Sequence, residues 1–276
     1  MIEFLTVFAV SYVLHATGIT FGYHRLLAHR AFSCNKAVEY FWVAMGYLAF
    51  EGSPIWWATM HRAHHRHNDT ALDPHSPRYG VGRAHYGWLM EKGYASHIDP
   101  KTQSRDILVD PIYRFLEQDG SWSRAHSLGF AINFAFRLLI WVYFGWVPAL
   151  ASLFAAFAVM QIPLMLNVVC HLPRFGYKNY ANGDEDSVNV WWVGLLAMGE
   201  GWHNNHHAFP GSAQSGVRWF EFDSTWLLIR LCKRLGWVHW VNVPEALTRQ
   251  QLRRRGARVR LGRFRAIRQQ RMTAAA

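Results

Sequence analysis

What the chain lacks narrows it first. Its three cysteines, Cys34, Cys170 and Cys232, share no short spacing, which excludes a disulfide framework and a cysteine-held metal site. It has no glycine-rich phosphate loop and no GxSxG elbow, so neither a phosphate cradle nor a nucleophile turn is on offer. No unit repeats at a fixed period. Acidic residues are few, 18 against 29 Lys and Arg, giving a net charge of +11 and a pI near 9.9. That balance could suit nucleic acid. Long apolar runs assign it instead to basic surfaces beside anionic lipid, and a nucleic-acid partner is not expected.

The apolar content is large. Hydrophobic residues make up 51% of 276, with 14 Trp, yet the mean hydropathy is only -0.05. Membrane helices joined to a polar cap account for both values, in one domain or two small ones. Residues 1–23 carry a single charge, Glu3, and are long enough to span a bilayer. A signal peptide would need a basic start and a small-residue cleavage site, and neither is there. Ala37 to Phe50 is apolar but short, as suits an interfacial or buried cap helix. Two further runs, 128–147 and 149–169, flank Pro148 and contain one charge, Arg137; they read as a tight transmembrane hairpin. Residues 24–127 and 170–246 then form a helical cap. Residues 247–276 form a basic tail, dense in arginine from Arg249 to Arg271 and suited to lipid-surface anchoring. The expected fold is all-α, a transmembrane bundle with a cytoplasmic cap. The Pro148 loop carries no Lys or Arg, so positive-inside logic places both His-rich regions in the cytoplasm and Met1 outside.

Three clusters carry chemistry: His24-Arg-Leu-Leu-Ala-His29, His61-Arg-Ala-His64-His65 and His203-Asn-Asn-His206-His207. Neutral imidazole binds iron, zinc, copper and nickel. Within HxxHH on a helix the first histidine lies one turn from the last two, which diverge by roughly 100°. They can reach two different ions while the first shares one of them. His24 and His29, five apart, do not share an α-helical face, so the first span is expected to end or kink between them. Eight imidazoles exceed the needs of one four-coordinate ion, and a metal pair is the economical reading. A single histidine at a membrane edge is more often structural; three clusters on one side are not.

These motifs, with Gly18-Ile-Thr-Phe-Gly-Tyr-His24, Asp73-Pro-His-Ser-Pro77, Tyr86-Gly-Trp88 and Gly199-Glu-Gly-Trp-His203, resemble the integral-membrane fatty acid desaturases, in particular the acyl-CoA delta-9, stearoyl-CoA-desaturase-like branch of bacterial type. The resemblance runs from about Gly18 to Trp237. It implies two iron ions, dioxygen as cosubstrate, and a ninth histidine at the end of the last span. His171 matches that histidine, and Asn167, one turn upstream, matches a ligand acting through water. The function implied is O2-dependent insertion of a cis double bond, at delta-9, into a saturated acyl chain carried first of all by CoA. With no haem or iron-sulfur motif in the chain, electrons come from a separate ferredoxin, rubredoxin or cytochrome b5 type of protein. The setting implied is a bacterial inner membrane. Relative to the family, the first helix of the N-terminal hairpin has no counterpart.

Asp73, Glu200 and Asn204 are candidates to orient imidazole rings, against a plain reading of the two carboxylates as solvated loop charges. Phe8 and Tyr12, one turn apart, could close the far end of an acyl tunnel, against ordinary helix packing. Trp57, with Trp56, could line its entrance or belong to an interfacial belt. Arg25, Arg30, Arg62 and Arg66 fit a CoA phosphate or an acidic redox partner, but positive-inside charge also explains them. His15 reads as a packed helix residue, and His67, His75, His85, His97 and His126 as cap residues. The rivals are a lipid hydroxylase or alkane monooxygenase with a similar histidine set, and a non-catalytic metal-binding membrane protein. Histidines gathered outside the spans argue against transport.

Overall fold

The computed structural model describes residues 1–245; the basic tail proposed for 247–276 lies outside the described residues. Three helices are long and apolar enough to cross a membrane, Ile2–Ala28, Trp122–Phe144 and Trp146–Val169. The first is composite. Ile2–Thr17 (α1) is α-helical and runs without a break into a π-helical stretch, Gly18–Ala28, whose every residue is buried. It passes beyond residue 23, where the apolar run ends. Tertiary packing, rather than composition, carries it to the first histidine pair.

Lys36–Tyr47 (α2) starts on an Asn35 cap, whose side chain accepts the Val38 N–H at 2.9 Å. It packs back along the π-helical stretch through glycines. A Cβ on Gly18 would fall 2.2 Å from Gly46 N, so only glycine permits the approach. Pro54–His67 (α3) begins at Ser53, with proline in its first turn, and carries the second histidine cluster on its last turns. Short helices between residues 77 and 117 wrap the outer side of α3.

Trp122–Phe144 (α4) and Trp146–Val169 (α5) form the expected hairpin with shifted limits. The break falls at Gly145 (φ +92°), not at Pro148. Pro148 sits in the first turn of α5, where backbone N–H groups have no helical partner and proline removes nothing. α4 also begins six residues before the apolar run predicted. It buries one stripe, Ala125, Gly129, Asn133 and Arg137, and exposes much of its remaining apolar surface, Phe134, Leu138 and Leu139 among it. Arg137 is satisfied at depth: it donates to Leu48 O at 2.5 Å and to Asn133 Oδ1 at 3.0 Å, and faces His15 Nε2 at 3.3 Å. His15 Nδ1 lies 2.8 Å from Met45 O, which makes it the packed helix residue expected. The end of α2 is thus tied to both neighbouring spans.

After α5 the chain forms Trp191–Leu196 (α6), His203–Ala208 (α7) and Ser224–Arg234 (α8). Among the described residues the only strands are a short antiparallel pair, Phe32–Cys34 with Val238–Val241, in the register Phe32 to Val241 and Cys34 to Val238. The fold is a helical membrane bundle with a helical cap.

Candidate metal centre

The nine histidines gather into two groups. His24, His29, His61, His65 and His206 form one; His64, His171, His203 and His207 form the other. Within each, one nitrogen per ring lies within 4.8 Å of the rest. The division follows helix geometry. On α3, His61 and His65 are four apart and join the five-histidine group, while His64 turns to the other. On α7, His203 and His207 join the four-histidine group, while His206 crosses over. The π-helical stretch brings in His24 and His29. Its backbone bond from His29 N to His24 O (3.0 Å) spans five residues, so residues five apart stack as four-apart residues do in an α-helix. The helix does end between them, at Ala28, but a widened turn rather than a kink makes them converge.

Several elements hold these helices in place. Arg62 donates to Leu27 O and Ala28 O, closing the end of the first span, and pairs with Asp106 at 2.7 Å. Arg25, fully buried, bonds Glu200 (3.0 Å), Asp223 (3.0 Å) and Ala213 O (2.7 Å). Arg30 pairs with Asp106. Three of the four arginines weighed as ligand contacts therefore serve the fold, and Arg66 stands exposed.

Carboxylates stand behind the rings. His64 Nδ1 lies 3.0 Å from Asp73, His24 Nδ1 2.8 Å from Glu200, His171 Nδ1 3.5 Å from Asp69 and His207 Nδ1 3.4 Å from Glu185. A carboxylate at Nδ1 fixes the N–H there and leaves the lone pair on Nε2. Nε2 atoms face one another across each group, 2.7 Å for His29 and His61, 3.2 Å for His24 and His206, and 3.0 Å for His171 and His203, with a carboxylate behind His24 and His171. Burial, and then neighbouring imidazoles, hold His29, His61, His65, His203, His206 and His207 well below their ordinary pKa, so protons do not fill these gaps. Lone pairs aimed at one another this closely call for a cation between them. The donor set fits a pair of metal ions.

Asp73 and Glu200 stand where the sequence placed them. Burial works against their charge, yet His64 for one and Arg25 for the other keep each below the usual carboxylate range. Asp69 is pushed down to about 2, where its bond to His171 outweighs burial. Asp69 and Glu185 had no motif to announce them. Asn204 is a correction: its side chain accepts from Asn179 N and Tyr180 N and donates to Tyr180 O. It anchors a loop, as its neighbour Asn205 does through Asn179, Asn189 and Glu221.

A cavity of about 370 Å³ opens beside both groups. His24, His61, His64, His203 and Asn167 reach it, as do Trp57, Trp56, Thr20, Glu51 and many apolar side chains. Glu51, pushed up to about 8 by burial, accepts from Trp57 Nε1 at 3.0 Å. His75 lies between His64 and Trp88 on the cavity wall. Phe8 and Tyr12 do not line it. They stack on each other at 6.2 Å, and the Tyr12 hydroxyl donates to Leu196 O at 2.9 Å. The first residue of α1 on the wall is Ala16, one turn further on, because Tyr12 points toward α6.

Nine histidines in two compact groups, ordered along the chain as these are, beside an apolar cavity, meet a known family. The fatty acid desaturase family profile matches residues 3–261. The chain belongs to the fatty acid desaturase family. It is 40% identical to the sn-1 stearoyl-lipid 9-desaturase of Anabaena variabilis, over 83% of this chain and 79% of that protein. It is 36% identical to an acyl-CoA 5-desaturase of Anemone leveillei, over 90% and 73%, and 35% identical to delta-9 acyl-lipid desaturase 1 of Arabidopsis thaliana, over 90% and 78%. This desaturase is accordingly a membrane oxidoreductase acting on acyl lipids or acyl-CoA.

Proposed function

We propose that the desaturase inserts a cis double bond at delta-9 of a saturated acyl chain, using dioxygen and two iron ions. One ion would be held by His24, His29, His61, His65 and His206. The other would be held by His64, His171, His203 and His207, with Asn167 acting through water. One observation carries the reading: two inward-facing imidazole groups border a single apolar cavity. Bound iron would supply the dioxygen chemistry that an unactivated methylene demands and that no side-chain acid or base provides.

The chain's own residues do the rest. Asp73, Asp69, Glu185 and Glu200 orient the rings, and Trp57, Met60, Val159 and Leu164 exclude water from the acyl chain. The balance requires a donor. One O2 takes four electrons, two with the hydrogens of the paired C–H bonds that are lost and two from a separate ferredoxin, rubredoxin or cytochrome b5 type of protein, and with two further protons from solvent the products are two waters and the olefin. Both histidine groups then lie at the cytoplasmic rim of a bacterial inner membrane, the arrangement that basic residues outside the spans favour.

Expression in a host without desaturases, followed by gas chromatography of its fatty acids, tests the reading. A new delta-9 olefin supports it. An alcohol in its place would favour the hydroxylase, and iron-loaded protein with no oxygen-dependent turnover a binding role.

A further inference from the structure

The cavity is partly open to the outside. Among the side chains lining it only Met90 (69% exposed) and Phe130 (50%) also face outward, and they mark its mouth. Phe130 belongs to α4, whose lining residues Trp122, His126 and Phe130 recur every fourth position and share one face. At 1.5 Å per residue, Phe130 lies about 12 Å along the helix from Trp122. Beyond it Phe134, Leu138, Trp141 and Val142 stand half exposed or more. Such a density of bare aromatic and aliphatic surface belongs in hydrocarbon. One rim of the mouth therefore lies below the water interface.

The other rim is a strap of two short helices, Val81–His85 and Gly87–Glu91. It turns at Gly80 (φ +118°) and Gly93 (φ +125°), backbone that side chains rarely adopt. The Tyr86 hydroxyl donates to Gln161 Oε1 of α5 at 2.8 Å, while Trp88 and Leu89 pack in one cluster with Trp122 of α4. The strap so bridges the two helices of the hairpin. Its outer surface bares Val81, Tyr86 and Met90, with Tyr79 just before it. That apolar face adjoins the bare flank of α4, and a bilayer would cover both together. Charge agrees. Among the described residues no Lys or Arg lines the cavity; on the strap Arg83 is engaged by Glu91 at 3.3 Å, and Lys92, two residues past Met90, stands exposed. A phosphate-rich soluble carrier would want several cations converging on the mouth, which a single lysine does not supply.

We infer that the acyl chain enters sideways from the bilayer, between Met90 and Phe130, and that the substrate is an ester-linked chain of a membrane lipid rather than a CoA thioester arriving from water. The inference rests on the desaturase reading proposed above. Its test uses the full iron-loaded protein in phosphatidylcholine vesicles with a ferredoxin-type reductant and oxygen. One set carries deuterated stearoyl esters, with CoA and ATP withheld so that no thioester forms; a parallel set of unlabelled vesicles receives deuterated stearoyl-CoA. Mass spectrometry should show labelled olefin in the lipid at least tenfold faster than from the thioester. The reverse preference overturns the inference while leaving the desaturase intact. No olefin from either, with iron bound, sinks the desaturase reading and this one with it. A measurement free of activity stands beside these. Spin labels at Met90→Cys and Phe130→Cys, in a Cys34→Ser background, should collide with oxygen dissolved in lipid rather than with an aqueous nickel chelate. Contact with the chelate at both positions overturns lateral access.

Discussion

The two histidine groups are unlike in what surrounds them. In the four-histidine group every ring is buried, and three of its members are backed by Asp73, Asp69 and Glu185. In the five-histidine group His29, His61 and His65 are half-buried, and the one carboxylate, Glu200, divides itself between His24 and Arg25. One group leans on fixed negative charge in a dry place. The other leans on the number of its imidazoles and sits nearer to water, where an electron donor could approach.

The most severe way to break this comparison is to remove a ring. His64→Ala and His206→Ala strike different groups, and each should cost one iron per chain and reduce olefin production to background. Unchanged iron in either variant would dissolve the two-group picture. Next comes the cation under the weaker carboxylate. Arg25→Met strands Glu200 and Asp223 in a buried site, a loss of about 3–5 kcal/mol by the usual cost of breaking a buried pair. A much lower thermal midpoint should follow, and an unmoved midpoint would mean that water replaces the guanidinium. Removing charge behind a ring should be milder. Asp73→Asn is expected to weaken iron binding by about 10–100-fold, the common effect of losing an outer partner. Glu200→Gln should cost less, because five rings share the load. Equal losses in iron titrations would erase the contrast drawn here.

Acidity should act more gently on the metal-free protein. Burial, and then His64, hold His75 down to about 3, so the unfolded chain takes up a proton near the usual 6.5 that the folded one refuses. Its contribution to stability is complete above that value and is lost as pH falls from there toward 3. His75→Gln should flatten the fall of the thermal midpoint over this range. The smallest effect is predicted for Phe8→Ala, which should leave the chain length of the products alone, whereas Ala16→Phe, on the cavity wall, should shorten them. A shift on altering Phe8 would return that residue to the tunnel.

Much of this was legible in the sequence because it was local. HxxHH on a helix fixes which rings diverge, and α3 and α7 divide their histidines between the two groups as that spacing requires. Asp73 and Glu200 were found because they sit inside motifs. Asp69 and Glu185 were not, since nothing near them in the chain says that folding will carry them to His171 and His207. Asn204 misled for the converse reason: placed between two histidines, it serves a distant loop. Helix limits failed where chemistry is ambiguous. Pro148 looks like a break but is harmless in a first turn, while Gly145 makes the turn through its backbone alone. Phe8 and Tyr12 lie one turn too early, a difference of facing that no composition reveals.

The widened turns from Gly18 to Ala28 leave this chain a particular fragility. Such a stretch uses more residues per turn than its α-helical neighbour, so the length of the segment, and not only its letters, is under constraint. Were this stretch to tighten to ordinary α-helical turns with every residue kept, the later of the first two histidines would swing about a quarter of the way round. Every imidazole would still be encoded, and one corner of the cage would be open.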